Sequence, residues 1–187
     1  MEYVVIIIKH IDHNYKGGKR TTVDEFKRLG ITILTPFNTQ IGKKYKLGIF
    51  TIIPLPAIHN VECRTFLIQV DNNNILFATD TNALPKINIK IDYFIVEVNF
   101  LEKMREQAVL QDNANFLHLN GVFHNHHSLE SAIEYFKDLD YKAKKIITIH
   151  SSNSGIFSKQ ETIEKLSPFA DYVDVAKNNT NYILEEI

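Results

Sequence analysis

Val4-Val5-Ile6-Ile7-Ile8-Lys9-His10-Ile11-Asp12-His13 decides how the rest of the chain is read. A β-branched apolar run reads as a buried strand, and directly behind it stand two imidazoles and a carboxylate. His and Asp side chains are ligands for a borderline divalent ion such as Zn²⁺, and a buried strand ending there holds them with little freedom. A polar loop carrying two histidines by chance is the competing account of this stretch.

Further strands end in the same way. Residues 47 to 55 read as a strand broken by Pro54 and Pro56, with His59 behind it. Arg64 to Val70 and Ile75 to Thr79 flank Asp71-Asn72-Asn73-Asn74, a four-residue turn whose residues tolerate positive φ, so a hairpin is expected, and its second strand runs into Asp80. Ile146 to Ile149 is a short buried strand ending at His150. Ligand-type residues at successive strand ends converge on one sheet edge, held by a rigid scaffold.

The remaining chain supplies strands at 31 to 34, 92 to 98, 172 to 176 and 181 to 184, the last two around an Asn178-Asn179 turn. Thr22-Val23-Asp24-Glu25 and Ser158-Lys159-Gln160-Glu161 have the capping-box pattern of helix starts, and Gly30 is placed to close the first of these helices. A helix is expected from Leu101 to Leu110, then a polar loop to His124. Ser128 caps a helix to Leu139 whose Leu129, Ala132, Ile133 and Phe136 share one face. Strands mixed with helices, hairpins among them, give an α/β fold with partly antiparallel sheets. At 187 residues the chain is expected to be one domain, residues 1 to 187.

Composition narrows the classes. A net charge of -1 excludes a wholesale basic surface of the kind that grips nucleic acid. Local clusters remain at Lys16, Lys19, Arg20, Lys27 and Arg28 and at Lys142, Lys144 and Lys145, each of which reads most simply as solvated surface. No apolar run approaches a bilayer span. The single cysteine, Cys63, excludes an intramolecular disulfide and, with no secretion signal at the start, suits the cytoplasm.

Taken together, the motifs resemble those of the metallo-β-lactamase-fold metallohydrolases, an αββα sandwich with a two-metal site between its sheets. Ile8-Lys9-His10-Ile11-Asp12-His13 is similar to their H-x-H-x-D-H element, His59 to their isolated His, Asp80 to their bridging Asp and His150 to their last His. The resemblance implies metal ligands His10, Asp12, His13, His59, Asp80 and His150, binding one or two Zn²⁺ ions with Mn²⁺ as the alternative. Ile8 stands where the family has its leading His, which implies a weakened first metal position. The chain also looks N-terminally short of the family's first strands; the sheet edge this would leave open is compatible with a homodimer.

Asn125-His126-His127-Ser128 is similar to the H-x-[ST] element of the branch containing tRNase Z and small cyclic-phosphodiester hydrolases, as found in phage and bacteria. The implied function is a metal-dependent phosphodiesterase or nuclease acting on nucleic acid or a nucleotide. The resemblance makes Asp12 and His126 its catalytic residues, a metal-bound hydroxide its nucleophile and His126 the donor of a proton to the leaving group. Asp24, Ser151 or a backbone carbonyl is expected to hold the far nitrogens of the histidines. The contrasting expectation is a degenerate, non-catalytic member of the fold serving as a binding or assembly module.

Overall fold

A computed structural model of the chain describes residues 5–7, 28–30, 32–110, 116–151, 158–177 and 180–184. Two sheets are present among these residues. The smaller pairs β1 (Val5–Ile7) in parallel with β2 (Thr32–Leu34). The larger has seven strands in sequence order: β3 (Tyr45–Leu47), β4 (Phe50–Pro56), β5 (Arg64–Val70), β6 (Asn73–Ala78), β7 (Tyr93–Glu97), β8 (Ala143–Ile149) and β9 (Ala170–Val175). Strands β3 to β6 are an antiparallel meander, and β6 to β9 are parallel. Parallel neighbours need a crossover. Helices α1 (Glu102–Leu110), α2 (Phe116–Asn125) and α3 (Leu129–Lys137) lie between β7 and β8, and α4 (Lys159–Leu166) lies between β8 and β9.

Both faces of the larger sheet are covered, which is why β7 reads as a nearly unbroken apolar run up to Glu97 and β5 carries three apolar residues in succession, Phe66-Leu67-Ile68. Side chains alternate across a strand. Leu67, Leu76, Phe94, Val96 and Ile146 pack with Phe123, Leu129, Ala132, Phe136 and Leu166 from the helices and their flanks. Phe66 and Ile52 turn the other way and pack with Leu34 of β2. Helices, large sheet and small sheet therefore form successive layers of a mixed α/β sandwich. Ser128 caps α3 as its sequence predicts, its hydroxyl accepting the Ser131 N–H at 3.1 Å, and Ser158 does the same for the Glu161 N–H at 3.2 Å.

Several local expectations change. The run from Leu47 to Leu55 is a hairpin, because Gly48 takes φ +60° and lets the chain reverse between Leu47 and Phe50. Pro54 and Pro56 do not break β4: the β3 ladder reaches only to Ile52, and beyond it the chain meets β4 through the Gly42 N–H on Pro54 O at 2.8 Å, a bond that uses the proline's carbonyl and asks for no N–H. The turn after β5 has two residues, Asp71 and Asn72, with Asp71 at φ +51° and Val70 facing Asn73. The stretch before His124, expected as a loop, contains α2. Asn120 and Gly121 are weak helix formers, but burial of Phe123 against Phe100, at 4.9 Å between ring centroids, offsets them. Residues 181 to 184 form no strand; Ile183 is exposed, so the run has no apolar face to bury. Gly30 takes φ +71°, the left-handed value expected of a helix terminator, while Thr22 to Glu25 and the Asn178-Asn179 turn lie outside the described residues.

Phe94 is fully buried at the centre of the helix-side core, edge-on to Phe136 at 5.0 Å and to Tyr135 at 6.2 Å. Phe94→Ala is expected to lower the unfolding free energy by about 3–5 kcal/mol, the usual cost of such a cavity. A shift of the urea midpoint at unchanged slope checks it. Tyr135 gives a pH-dependent counterpart. Burial, and secondarily the nearby Tyr141 phenol, push its hydroxyl from 10.0 up to about 12, while it donates to Pro85 O at 3.2 Å. The folded state thus keeps a proton that the unfolded chain releases near 10.0, so this contribution to stability is complete below that pH and is lost as pH rises towards about 12. Urea melts at pH 9 and pH 11 should show a smaller alkaline loss in Tyr135→Phe than in the parent chain.

Candidate metal centre

The turns after β6, β7 and β8 emerge at the same end of the sheet because these strands are parallel. Each carries a ligand-type residue there: Asp80 two residues beyond Ala78, Glu97 as the last residue of β7, and His150 one residue beyond Ile149. A fourth, His126, comes from the turn that follows α2. One ligand atom from each of Asp80, Glu97, His126 and His150 lies within 4.8 Å of every other.

Glu97 is the hub. It is fully buried, and by the alternation that sends Phe94 and Val96 towards the helices its side chain leaves the opposite face of the sheet. Its Oε2 accepts the Asp80 N–H at 2.6 Å and the Thr81 N–H at 3.4 Å. Its Oε1 stands 2.5 Å from His126 Nδ1 and 3.1 Å from His150 Nδ1. Asp80 Oδ1 adds a contact to His150 Nδ1 at 3.0 Å and a longer one to His126 Nδ1 at 3.8 Å. Burial pushes the Glu97 carboxyl upward, but the hydrogen bonds and charges of His126 and His150 outweigh it and hold the group below its ordinary 4.5. Glu97 is then a carboxylate at neutral pH.

An imidazole that gives its Nδ1–H to a carboxylate has its tautomer and ring plane set, and presents Nε2 to whatever occupies the site. The His126 ring stands edge-on to those of His150 and His59, with centroids 5.1 and 5.3 Å away. The His126 side chain is 16% exposed and that of His150 38%, so both are reachable from solvent. Asp80 and His150 take φ +51° and +57°, the left-handed region that costs a residue with a Cβ energy and persists where surrounding contacts over-determine it. The donor set, two carboxylates and two imidazoles on buried or half-buried supports, suits a divalent transition ion.

Of the residues singled out in the sequence, Asp80, His126 and His150 are brought together, and His59 lies beside His126 with its Nδ1 accepting the Val61 N–H at 3.3 Å. His10, Asp12, His13, Ile8 and Asp24 lie outside the described residues. Glu97 is the residue that sequence reasoning missed. It occupies the acceptor role expected of Asp24, Ser151 or a carbonyl, and the signal that identifies it is the one used for the others, an acid ending the apolar run Tyr93-Phe94-Ile95-Val96.

No family model matches the sequence, and no curated protein sequence matches it. Solved structures do. YhfI from Bacillus subtilis, a metallo-β-lactamase fold protein, aligns with a TM-score of 0.57 at 16% identity, over 92% of this chain and 75% of its own. A candidate metal-dependent hydrolase from Parabacteroides distasonis ATCC 8503 aligns with a TM-score of 0.53 at 14% identity, over 91% of this chain and 74% of its own. Zn²⁺-bound PqqB from Methylobacterium extorquens aligns with a TM-score of 0.54 at 8% identity, over 78% of this chain and 54% of its own. At such identities what is shared is architecture, and it agrees with the mixed seven-stranded sheet and its helical layer. This chain has the metallo-β-lactamase fold.

Proposed function

We propose that the protein is a metal-dependent hydrolase of phosphodiesters, in nucleic acid or a nucleotide, with His126 as the proton donor. The observation that carries this reading is the placement of His126: its Nδ1 is held 2.5 Å from a buried carboxylate at the rim of a four-residue cluster of metal-ligand types. Asp80 and His150 would hold a Zn²⁺ or Mn²⁺ ion, with His59 and with His10, Asp12 and His13, which the sequence resemblance assigns to the same site. Such an ion supplies Lewis acidity to the phosphoryl oxygens and makes a water nucleophilic near neutral pH.

The chain's own residues do the rest. Glu97, ionised and buried, fixes His126 Nδ1–H as a donor, leaving Nε2 to carry the transferable proton. A leaving alkoxide needs that proton; a nitrophenolate does not. His150, held through the same nitrogen by Asp80 and Glu97, likewise presents Nε2 outward. Phosphodiesters are favoured over other substrates by the His126-His127-Ser128 resemblance. Asp12, catalytic by the same resemblance, belongs to the proposal on that basis.

The test is metal content per chain in freshly purified protein beside hydrolysis of bis(p-nitrophenyl) phosphate. Co-purifying metal, turnover abolished by a chelator and restored by Zn²⁺ or Mn²⁺ are the expected results. Metal-free protein that hydrolyses nothing after metal addition would overturn the reading in favour of a non-catalytic binding module, to which Ile8 in place of the first motif His points.

A further inference from the structure

We propose that Asn82 and Asn99 are positioning residues which clamp the 124–127 turn between the turns of Asp80 and His150 and so keep the His126 imidazole on Glu97. The proposal deepens the hydrolase reading, since it concerns the residue assigned there as proton donor.

The His126 turn sits where a helix runs out of internal partners. The last carbonyls of α2 have no N–H four residues on to receive, and such groups must be satisfied from elsewhere. His126 N–H still bonds Val122 O at 3.0 Å, but His124 O is met by the Asn82 side-chain amide at 2.7 Å. One residue past His126, His127 is buried and donates Nδ1–H to Asn82 O at 2.8 Å. On its other side His127 O accepts the Asn99 N–H at 2.9 Å, and the Asn99 amide reaches His150 O at 2.8 Å. Asn82 N–H in turn bonds Ile58 O at 2.8 Å, next to His59.

The Asn82 amide thus ties the Asp80 turn to His124 and the Asn99 amide ties the Glu97 turn to His150, while the backbone bond from Asn99 N–H to His127 O joins the two pairs, so each linked turn carries or adjoins a residue of the candidate centre. Both stand two positions after a site carboxylate, Asn82 after Asp80 and Asn99 after Glu97, so the strands that place the carboxylates also place the clamps. Each amide acts as a donor to a backbone carbonyl, which an ionised Asp in the same place cannot be. An imidazole must be held within a fraction of an ångström to remain on a single carboxylate oxygen. Filling loop hydrogen bonds would ask no more of Asn82 than a bond within its own turn, whereas its amide reaches 42 residues along the chain and that of Asn99 reaches 51.

The experiment is imidazole ¹H–¹⁵N NMR on ¹⁵N-histidine-labelled chain, comparing the parent with Asn82→Ala, Asn99→Ala and Asn99→Asp; His126→Ala assigns the signal. In the parent the His126 Nδ1–H is expected to be protected from water. In each variant it should exchange faster by about tenfold or more, reflecting local opening. The His127 Nδ1–H is the internal control: its acceptor is the backbone carbonyl of residue 82, which Asn82→Ala retains, so its signal should persist in that variant at a nearly unchanged melting temperature. An unprotected His126 in the parent, unchanged protection in the variants, or loss of both histidine signals with a lower melting temperature would each overturn the proposal. None of these readouts uses turnover, so a chain that hydrolyses nothing would defeat the hydrolase reading and leave this measurement decisive.

Discussion

Glu97→Gln is expected to weaken metal binding or turnover by about 10–100-fold, the usual effect of losing a carboxylate behind a histidine. The amide retains one oxygen for the Asp80 N–H, but it presents no charge and only one acceptor atom to a site that now asks for acceptors on two sides. Either the Asp80 turn or the pair of imidazoles loses its partner. Glu97→Ala should be worse for folding, since it leaves buried donors unmade at about 1–3 kcal/mol each. Zinc titration with a competing chelator, beside circular dichroism to confirm folding, distinguishes the two substitutions. Parent-like metal affinity and rate in Glu97→Gln would reduce the carboxylate to a structural cap. The pH dependence has a definite sign. Because the folded value lies below 4.5, the stabilisation from Glu97 is present above 4.5 and is lost as pH falls through the folded value.

Replacing His126 with Ala is expected to reduce kcat by about 10²–10⁴-fold on a diester with an alkyl leaving group. The loss should be much smaller on bis(p-nitrophenyl) phosphate, whose leaving group departs without a proton. Metal content should stay at the parent level. Loss of metal alongside loss of rate would instead place His126 among the ligands, a role its membership of the four-residue cluster also permits.

That Asp80 and His150 stand at strand ends was legible because each follows an apolar run, and His126 was singled out by the resemblance of His126-His127-Ser128 to an H-x-[ST] element; the three lie together, with the His59 ring beside that of His126. Glu97 was not legible as a site residue because the strand is expected to run through it to residue 98, whereas the strand ends on it. The mixed α/β class followed from apolar runs interleaved with helix caps and the layered sandwich from the motif resemblance, but α2 did not, since Asn120 and Gly121 dilute a helix whose formation depends on burying Phe123 against Phe100. The amide clamps were not legible at all. Their partners are carbonyls 42 and 51 residues away, and nothing in the local sequence of Asn82 or Asn99 names them.

The change from antiparallel to parallel pairing at β6 also bears on how the chain reaches its native state. Strands β3 to β6 pair with their sequence neighbours and can zip from short hairpins, whereas β7 must wait for the chain through three helices before β8 can join it. Contacts of long sequence separation form slowly, because loop-closure entropy must be met before the pairing rewards it. The turns of Glu97 and His150 come together only at that step, so the group of Asp80, Glu97, His126 and His150 is completed late, and an ion bound there would lock the folded chain. Zinc should accordingly slow unfolding far more than it accelerates refolding.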